Sequence, residues 1–469
     1  MKSASPFPPV LVPFLVAVLG VAAMVIWWNA GSVALVPERI PGLDRPQGTE
    51  GTDASSVPGS GVLTQGDGKP ADLPGSWPHF RGTKYDNIGQ PGVALARQWP
   101  AGGPKVLWAV DLGEGHAGPI VRDGRIYVLD YDRDQAADAF RCLSLADGKE
   151  IWRFSYPSNI KRNHGMSRTV PAISGKFVVA MGPKCQVTCL DAATGQRQWQ
   201  IDLVRQFGAA VPPWYAGQCP VIDGDRVILA PGGTDCLMVA VELATGKPIW
   251  RTPNPQGWTM THSSIMPMEF GGRRMFVYCA SGGVVGVSAD DGALLWQTSE
   301  WKISIATVPS PLPLGDGKIF FSGGYNSGAL LMQLEAKDGK IAPKPLTRLK
   351  PSAFGSTQHT PIVLDGKIYG IREKDKELVC IDFQGKEIWR SGSEHRFGIG
   401  PYLIADGLIF VMNDDGVLTL AEASPAGYKQ LARAQVLDGH DAWGPMALVG
   451  GRLLVRDLTR MACLDVSKK

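Results

Sequence analysis

Six of the seven histidines stand in one kind of place. His116, His164, His262, His359, His395 and His440 each lie within seven residues ahead of a proline that opens a short apolar run. Arg168, Gln218, Arg396 and Trp443 fall in the same segments. Imidazole is the side chain that changes charge near neutral pH, and guanidinium presents a planar fork to anions. If these loops converge, His116, Arg168, His262, His359, Arg396, His440 and Trp443 make a polar funnel, with aromatic walls from Trp214, Trp258 and Trp443. Such a funnel suits an anionic or aromatic ligand. It is also what repetition alone produces, since any loop residue then recurs at equivalent sites.

Other chemistry is thin. No C-x-x-C or H-x3-H spacing offers a zinc site. The Gly323–Gly328 loop has no following helix to cradle phosphate. Ser288–Gly292, "SADDG", is a turn and not a cation loop. Cys142, Cys189, Cys380 and Cys463 share one repeat position, so they are expected ~10 Å or more apart and outside disulfide reach. Cys185 and Cys189 lie four apart on one expected strand, which also separates them. The pairing state of Cys219, Cys236 and Cys279 stays open. A net charge of +3, with Lys and Arg scattered, gives no footprint for nucleic acid.

The elements that must position these loops repeat. Pro119, Pro171, Pro220, Pro267, Pro311, Pro361, Pro401 and Pro445 each open a run closed by a tight turn, such as Asp123-Gly124 or Asp365-Gly366. Such pairs supply the positive φ of two-residue hairpins. A second turn follows in each unit, as at Thr194-Gly195 in "LDAATGQRQW". There are eight first turns and seven second turns. One unit reads as four short strands over about 40–50 residues, a propeller blade. The missing strand is expected from Lys105–Leu112, "KVLWAVDL", closing the ring from the N-terminal side. The fold expected is all-β: an eight-bladed propeller of four-stranded antiparallel blades over residues 77–469. Trp108, Trp152, Trp199, Trp250, Trp296 and Trp389 mark the ends of outer hairpins and are expected to pack between blades. The fifth and seventh units have "KIAPKPL" and "YKQL" where Trp would stand.

Residues 1–36 are different. Val10–Trp28 is an uncharged run of 19 residues, near the ~20 that span a bilayer. It is expected to be an uncleaved anchor, because signal-peptide apolar regions are usually ~7–15 residues. Cleavage near Ser32–Ala34 is the alternative. Either sends the remainder out of the cytoplasm. Residues 37–76, rich in Pro, Gly, Ser and Thr, are expected to form a flexible tether.

With the repeat laid out, "DAATGQRQW" resembles the repeat of pyrroloquinoline-quinone-type propellers. "WPHFRG" at Trp77–Gly82, "WPAGGPKVLW" at Trp99–Trp108 and "IDLVRQFGAAVPPW" at Ile201–Trp214 are similar to one branch of bacterial extracytoplasmic propellers. The resemblance covers nearly all of Trp77–Val466. It implies either a quinoprotein dehydrogenase, using a quinone with Ca²⁺, or an interaction platform like the outer-membrane assembly lipoproteins of the BamB type. The dehydrogenases carry a vicinal Cys pair and often a C-x-x-C-H cytochrome motif, and this sequence has neither. No Ca²⁺ ligand or catalytic carboxylate of that family can be matched here, so quinone and calcium are left without motif support. The function expected is therefore a membrane-anchored, extracytoplasmic, monomeric platform binding an envelope protein or ligand without catalysis. A quinoprotein oxidoreductase with an atypical site in the funnel is the alternative.

Overall fold

The computed structural model describes residues 61–469 together with 18–22 and 24. The chain forms two compact units, 1–51 and 52–469. Val18–Ala22 and Met24 are helical and exposed. The rest of the expected anchor, Val10–Trp28, and the alternative cleavage site lie outside the described residues. Among the described residues no helix is long and apolar enough to cross a membrane.

Eight antiparallel four-stranded sheets make the body. The first is built from Ile120–Arg122, Arg125–Asp132, Ala137–Ser144 and Glu150–Pro157. Its plan recurs in order: a short inner strand, a tight turn, two longer strands, and an outer strand beginning just after the second turn. The turns place Asp123, Asp316, Asp365 and Asp406 at positive φ, each followed by Gly, the demand that Asp-Gly meets with least strain. The eighth sheet takes its outer strand from Lys105–Asp111, which pairs antiparallel with Arg460–Asp465, Trp108 opposite Cys463.

Neighbouring sheets share apolar seams. One joins Tyr127, Phe140 and Trp152 of the first blade to Val178 and Leu190 of the second; others join the second to the third and the fifth to the sixth. Alternation along each strand sends one face to each neighbour, so every blade is buried on both sides. The hairpin-end indoles sit in these seams. Trp152 is fully buried, and a Cβ placed on Gly195 of the next blade would lie 2.7 Å from its ring. Trp108 meets Gly148, and Trp250 meets Gly292, in the same way. Trp389 donates its Nε1–H to Ser424 O at 2.8 Å, whereas Trp296 turns its Nε1 to Met275 Sδ at 3.4 Å. In the fifth blade, which lacks the Trp, Leu349 lies under Gly385 instead.

Two N-terminal pieces depart from expectation. The tether was expected to run to residue 76, but Val62–Gln65 is a fifth strand on the first blade, paired antiparallel with Trp152–Ser155. An open sheet edge offers unpaired main-chain groups to any extended segment, and this one is taken. The second piece is "WPHFRG". Trp77 exchanges main-chain bonds with Val121 of the first blade at 2.8 and 2.9 Å, and Pro78 O accepts from Ile173 N of the second at 2.9 Å. Three residues on, Arg81 donates to Thr360 O and Pro361 O of the sixth blade at 2.7 and 2.9 Å. Ile88 then pairs in parallel with Ile404 of the seventh. The second and sixth blades face each other across an eight-membered ring. A segment touching both within four residues crosses the axis, so Trp77–Gly89 stoppers the central channel.

Candidate funnel site

The loops that enter the inner strands bring five of the seven nominated side chains together. Gly115 bridges to Ser167, which sets His116 beside the loop of the second blade. The His116 Nε2–H donates to His164 O at 3.0 Å, and its ring centroid lies 5.0 Å from that of Trp443. Trp443 donates Nε1–H to Asp414 Oδ1 at 2.7 Å, which fixes the indole. Arg168 donates to Trp214 O, and to Asn163 O at 2.7 Å. The Trp214 ring lies 5.9 Å from His262. His359 stands edge-on to Tyr402 at 6.1 Å, and its ring approaches the main chain of Trp443.

Arg396 and His440 do not join them. Both are exposed. The Arg396 main chain is bridged to Glu377 of the preceding, sixth blade, and Gly439 is held by Asp457 Oδ2 of the eighth at 3.1 Å. His395 packs against Tyr428 with centroids 5.3 Å apart, in a seam between blades.

The gathered imidazoles are neutral. Burial, with the charges of Arg168 and Arg456 behind it, pushes His116 down to about 3. Burial and Arg168 push His262 to about 4, and burial and Arg81 do the same to His359. Taking charge out of water is costly without a counter-ion, and no carboxylate pairs with any of these rings among the described residues. One nitrogen of each ring, His116 Nδ1, His262 Nε2 and His359 Nε2, is enclosed without a hydrogen-bond partner. The guanidiniums are largely engaged: Arg456 donates to Ala117, Leu129 and Gly113 carbonyls, with its Nε left without a partner, and Arg81 donates to four main-chain oxygens. The gap beside His359, Ser356 and Tyr402 has room for about one water.

Sequence reading missed Arg81 and Asp414. Neither sits ahead of a repeat proline: Arg81 precedes the repeat, and Asp414 lies in a turn within the seventh blade. A motif outside the repeat, "WPHFRG", was the one available signal.

This set does not fit a quinone with calcium. Ca²⁺ takes six to eight oxygen ligands, and the carboxylate at the site, Asp414, is occupied by Trp443 Nε1 and by Ile399 N at 2.9 Å. No group of three or more His, Cys, Asp or Glu able to hold a metal occurs among the described residues. The axial space is filled by the chain's own Trp77–Gly89.

Comparison with known proteins gives the following. A family model described as outer membrane protein assembly factor BamB matches residues 136–384. Serine/threonine-protein kinase AfsK of Streptomyces griseus is 31% identical over 178 residues, 36% of this chain and 20% of that protein. Outer membrane protein assembly factor BamB of Shewanella oneidensis is 22% identical over 263 residues, 51% of this chain and 60% of that protein. The chain thus spans between a fifth and three fifths of these relatives' lengths. Among solved structures, a europium-containing methanol dehydrogenase superposes with a TM-score of 0.58 at 13% identity, covering 82% of this chain and 89% of that one. That likeness is one of fold.

Proposed function

We propose, for a chain that belongs to the outer membrane protein assembly factor BamB family, the role of a non-catalytic interaction platform in the cell envelope. The observation that carries this reading is the stoppered axis. Arg81 crosses to Thr360 and Pro361, His116 and Arg168 donate to main-chain oxygens, and Trp443 donates to Asp414. What the molecule offers a partner is then its loop face and its sheet edges. In this reading Val10–Trp28 anchors the chain, the propeller works as a monomer on the extracytoplasmic side, and the strand Lys105–Asp111 closes the ring permanently. The partner is another envelope protein.

Two measurements test the reading. Photo-crosslinkers placed along the loop face should capture one envelope protein reproducibly from cells. Addition of quinone with Ca²⁺ to the purified full chain should leave its melting temperature unchanged. A saturable rise would instead follow RT ln(1 + [L]/Kd). Such a rise, abolished by Trp443→Ala, would replace the platform with the oxidoreductase reading.

A further inference from the structure

The hexapeptide "GKEIWR" occurs twice, at Gly148–Arg153 in the first blade and at Gly385–Arg390 in the sixth. In both, Glu-Ile-Trp-Arg belongs to the outer strand. The surroundings match. Glu150 receives Arg141 Nε at 2.6 Å and Arg153 Nε at 3.1 Å. Glu387 receives Arg372 Nη1 at 2.6 Å and has Arg390 Nε at 3.6 Å.

The two copies differ in what lies against them. On the first, Val62–Gln65 adds a strand, with Thr64 opposite Arg153 and Gln65 opposite Trp152. The chain continues along the edge: Gly66 N donates to Ile151 O and Gly68 N to Glu150 O, each at 2.9 Å. Leu63 fills the notch over Gly195, where a Cβ would meet Leu63 Cδ1 at 2.7 Å. Ile151 is 9% exposed as a result. On the sixth blade Glu387–Arg390 is the last strand of its sheet, and Ile388 is 37% exposed. The corresponding Gly427 holds φ at 156°, and a Cβ there would meet nothing within 4 Å, neither a docked side chain nor Trp389.

We propose that the outer edge of the sixth blade is a strand-docking site for an extended segment of a partner protein. That segment pairs antiparallel with Glu387–Arg390 and carries small residues where Gly66 and Gly68 stand. The inference rests on the platform reading and gives it a location. Its chemistry is that of strand addition: main-chain bonds hold the peptide and alternate side chains select it. The edge is shorter than that of the first blade, because Ser391 beyond it is held by His395 O at 2.7 Å. A docked strand is therefore expected to cover about five residues, and binding to be weak for a free peptide.

The test uses the full chain and a synthetic peptide of residues 61–70, GVLTQGDGKP, with hydrogen exchange as readout. Amide exchange in 387–390 should slow at least fivefold and saturate with peptide, while exchange in 150–157, already covered, stays unchanged. Ile388→Lys, at an exposed position, should weaken the effect at least tenfold. Unchanged exchange in 387–390 at millimolar peptide would overturn the site. So would equal slowing in Ile388→Lys, or equal slowing along Pro248–Thr252 of the third blade. Envelope crosslinks that persist in Ile388→Lys while the peptide leaves 387–390 unprotected would remove this site and leave the platform standing.

Discussion

The indole of Trp199 lies beneath Gly246 of the following blade, and its Nε1–H donates to Leu243 O there at 2.8 Å. A Cβ on Gly246 would sit 2.8 Å from Trp199 Cδ2, and the glycine holds φ at 71°. One residue thus closes a turn while the space it leaves empty receives the neighbouring blade. Gly246→Ala should destabilise through both effects: about 1–3 kcal/mol for overpacking and about 1–2 kcal/mol for the left-handed conformation. Gly224→Ala, at φ 61° with nothing within 4 Å, should incur only the second. Urea melts of the two variants separate packing from conformation. Trp199→Ala should cost about 3–5 kcal/mol.

The same relationship explains what could be read from the chain. Proline, turn and tryptophan recur because each blade must repeat the same hairpins and the same seam. Periodicity therefore exposed the number of blades and the role of Trp152 and Trp250 together. Nothing repeats in residues 61–89. Val62–Gln65 pairs through its main chain, and Arg81, Tyr85 and Asn87 adopt positive φ without glycine. Neither property has a compositional mark, so a strand and an axial stopper looked like a tether and a motif. Among the nominated funnel residues, position ahead of a proline marks a loop but not how far it reaches. His116 and Trp443 pack against each other, while Arg396 and His440 stay exposed on loops that Glu377 and Asp457 hold.

The stopper should matter for the fold as a whole. Arg81 is 4% exposed and its fork spans carbonyls of two elements. Arg81→Ala leaves those oxygens enclosed and unpaired, at about 1–3 kcal/mol for each group stranded. Arg81→Lys should recover only part of the loss, since an ammonium cannot match the planar fork. Chemical melts measure the cost. Hydrogen exchange should show the loosening concentrated in Ile362–Leu364 and Tyr402–Ala405, the inner strands that the segment touches.

Acid should unfold the protein through its neutral histidines. His79, His262 and His359 are held at about 4 and His116 at about 3, in each case chiefly by burial. Their unfolded counterparts take up protons near 6.5. The stability linked to these rings is fully present above 6.5 and is lost as pH falls towards 4. The urea midpoint should drop steeply across that window, and His359→Gln should flatten the slope.

Asp138 should act in the opposite sense. It is fully buried, accepts the Tyr156 hydroxyl, and leaves Oδ1 without a partner. Burial pushes its carboxyl up to about 7, so the folded state holds a proton that the unfolded state releases near 4. The stabilisation from that proton is complete below 4 and lost as pH rises through 7. Asp138→Asn keeps an acceptor for Tyr156 and removes the ionisation. Its advantage over the native chain should be absent near pH 4, grow towards pH 7 and level off above it. A parallel displacement of the two pH–stability curves would mean that Asp138 is not the group responsible.

Ring closure supplies the sharpest structural test. Lys105–Asp111 is the outer strand of the eighth sheet, and its Trp108 donates to Leu145 O of the first blade at 3.2 Å. One strand therefore joins the C-terminal strands to the beginning of the repeat. Deleting Gly103–Asp111 removes the ladder to Arg460–Asp465 and bares the seam holding Leu143, Leu454 and Cys463. The deletion leaves the main-chain groups along the outer side of Arg460–Asp465 without partners. The deletion should abolish the single cooperative thermal transition and expose the chain to proteolysis around residues 447–465. A retained cooperative melt would mean that the ring holds together through the axial segment and the remaining blade seams alone.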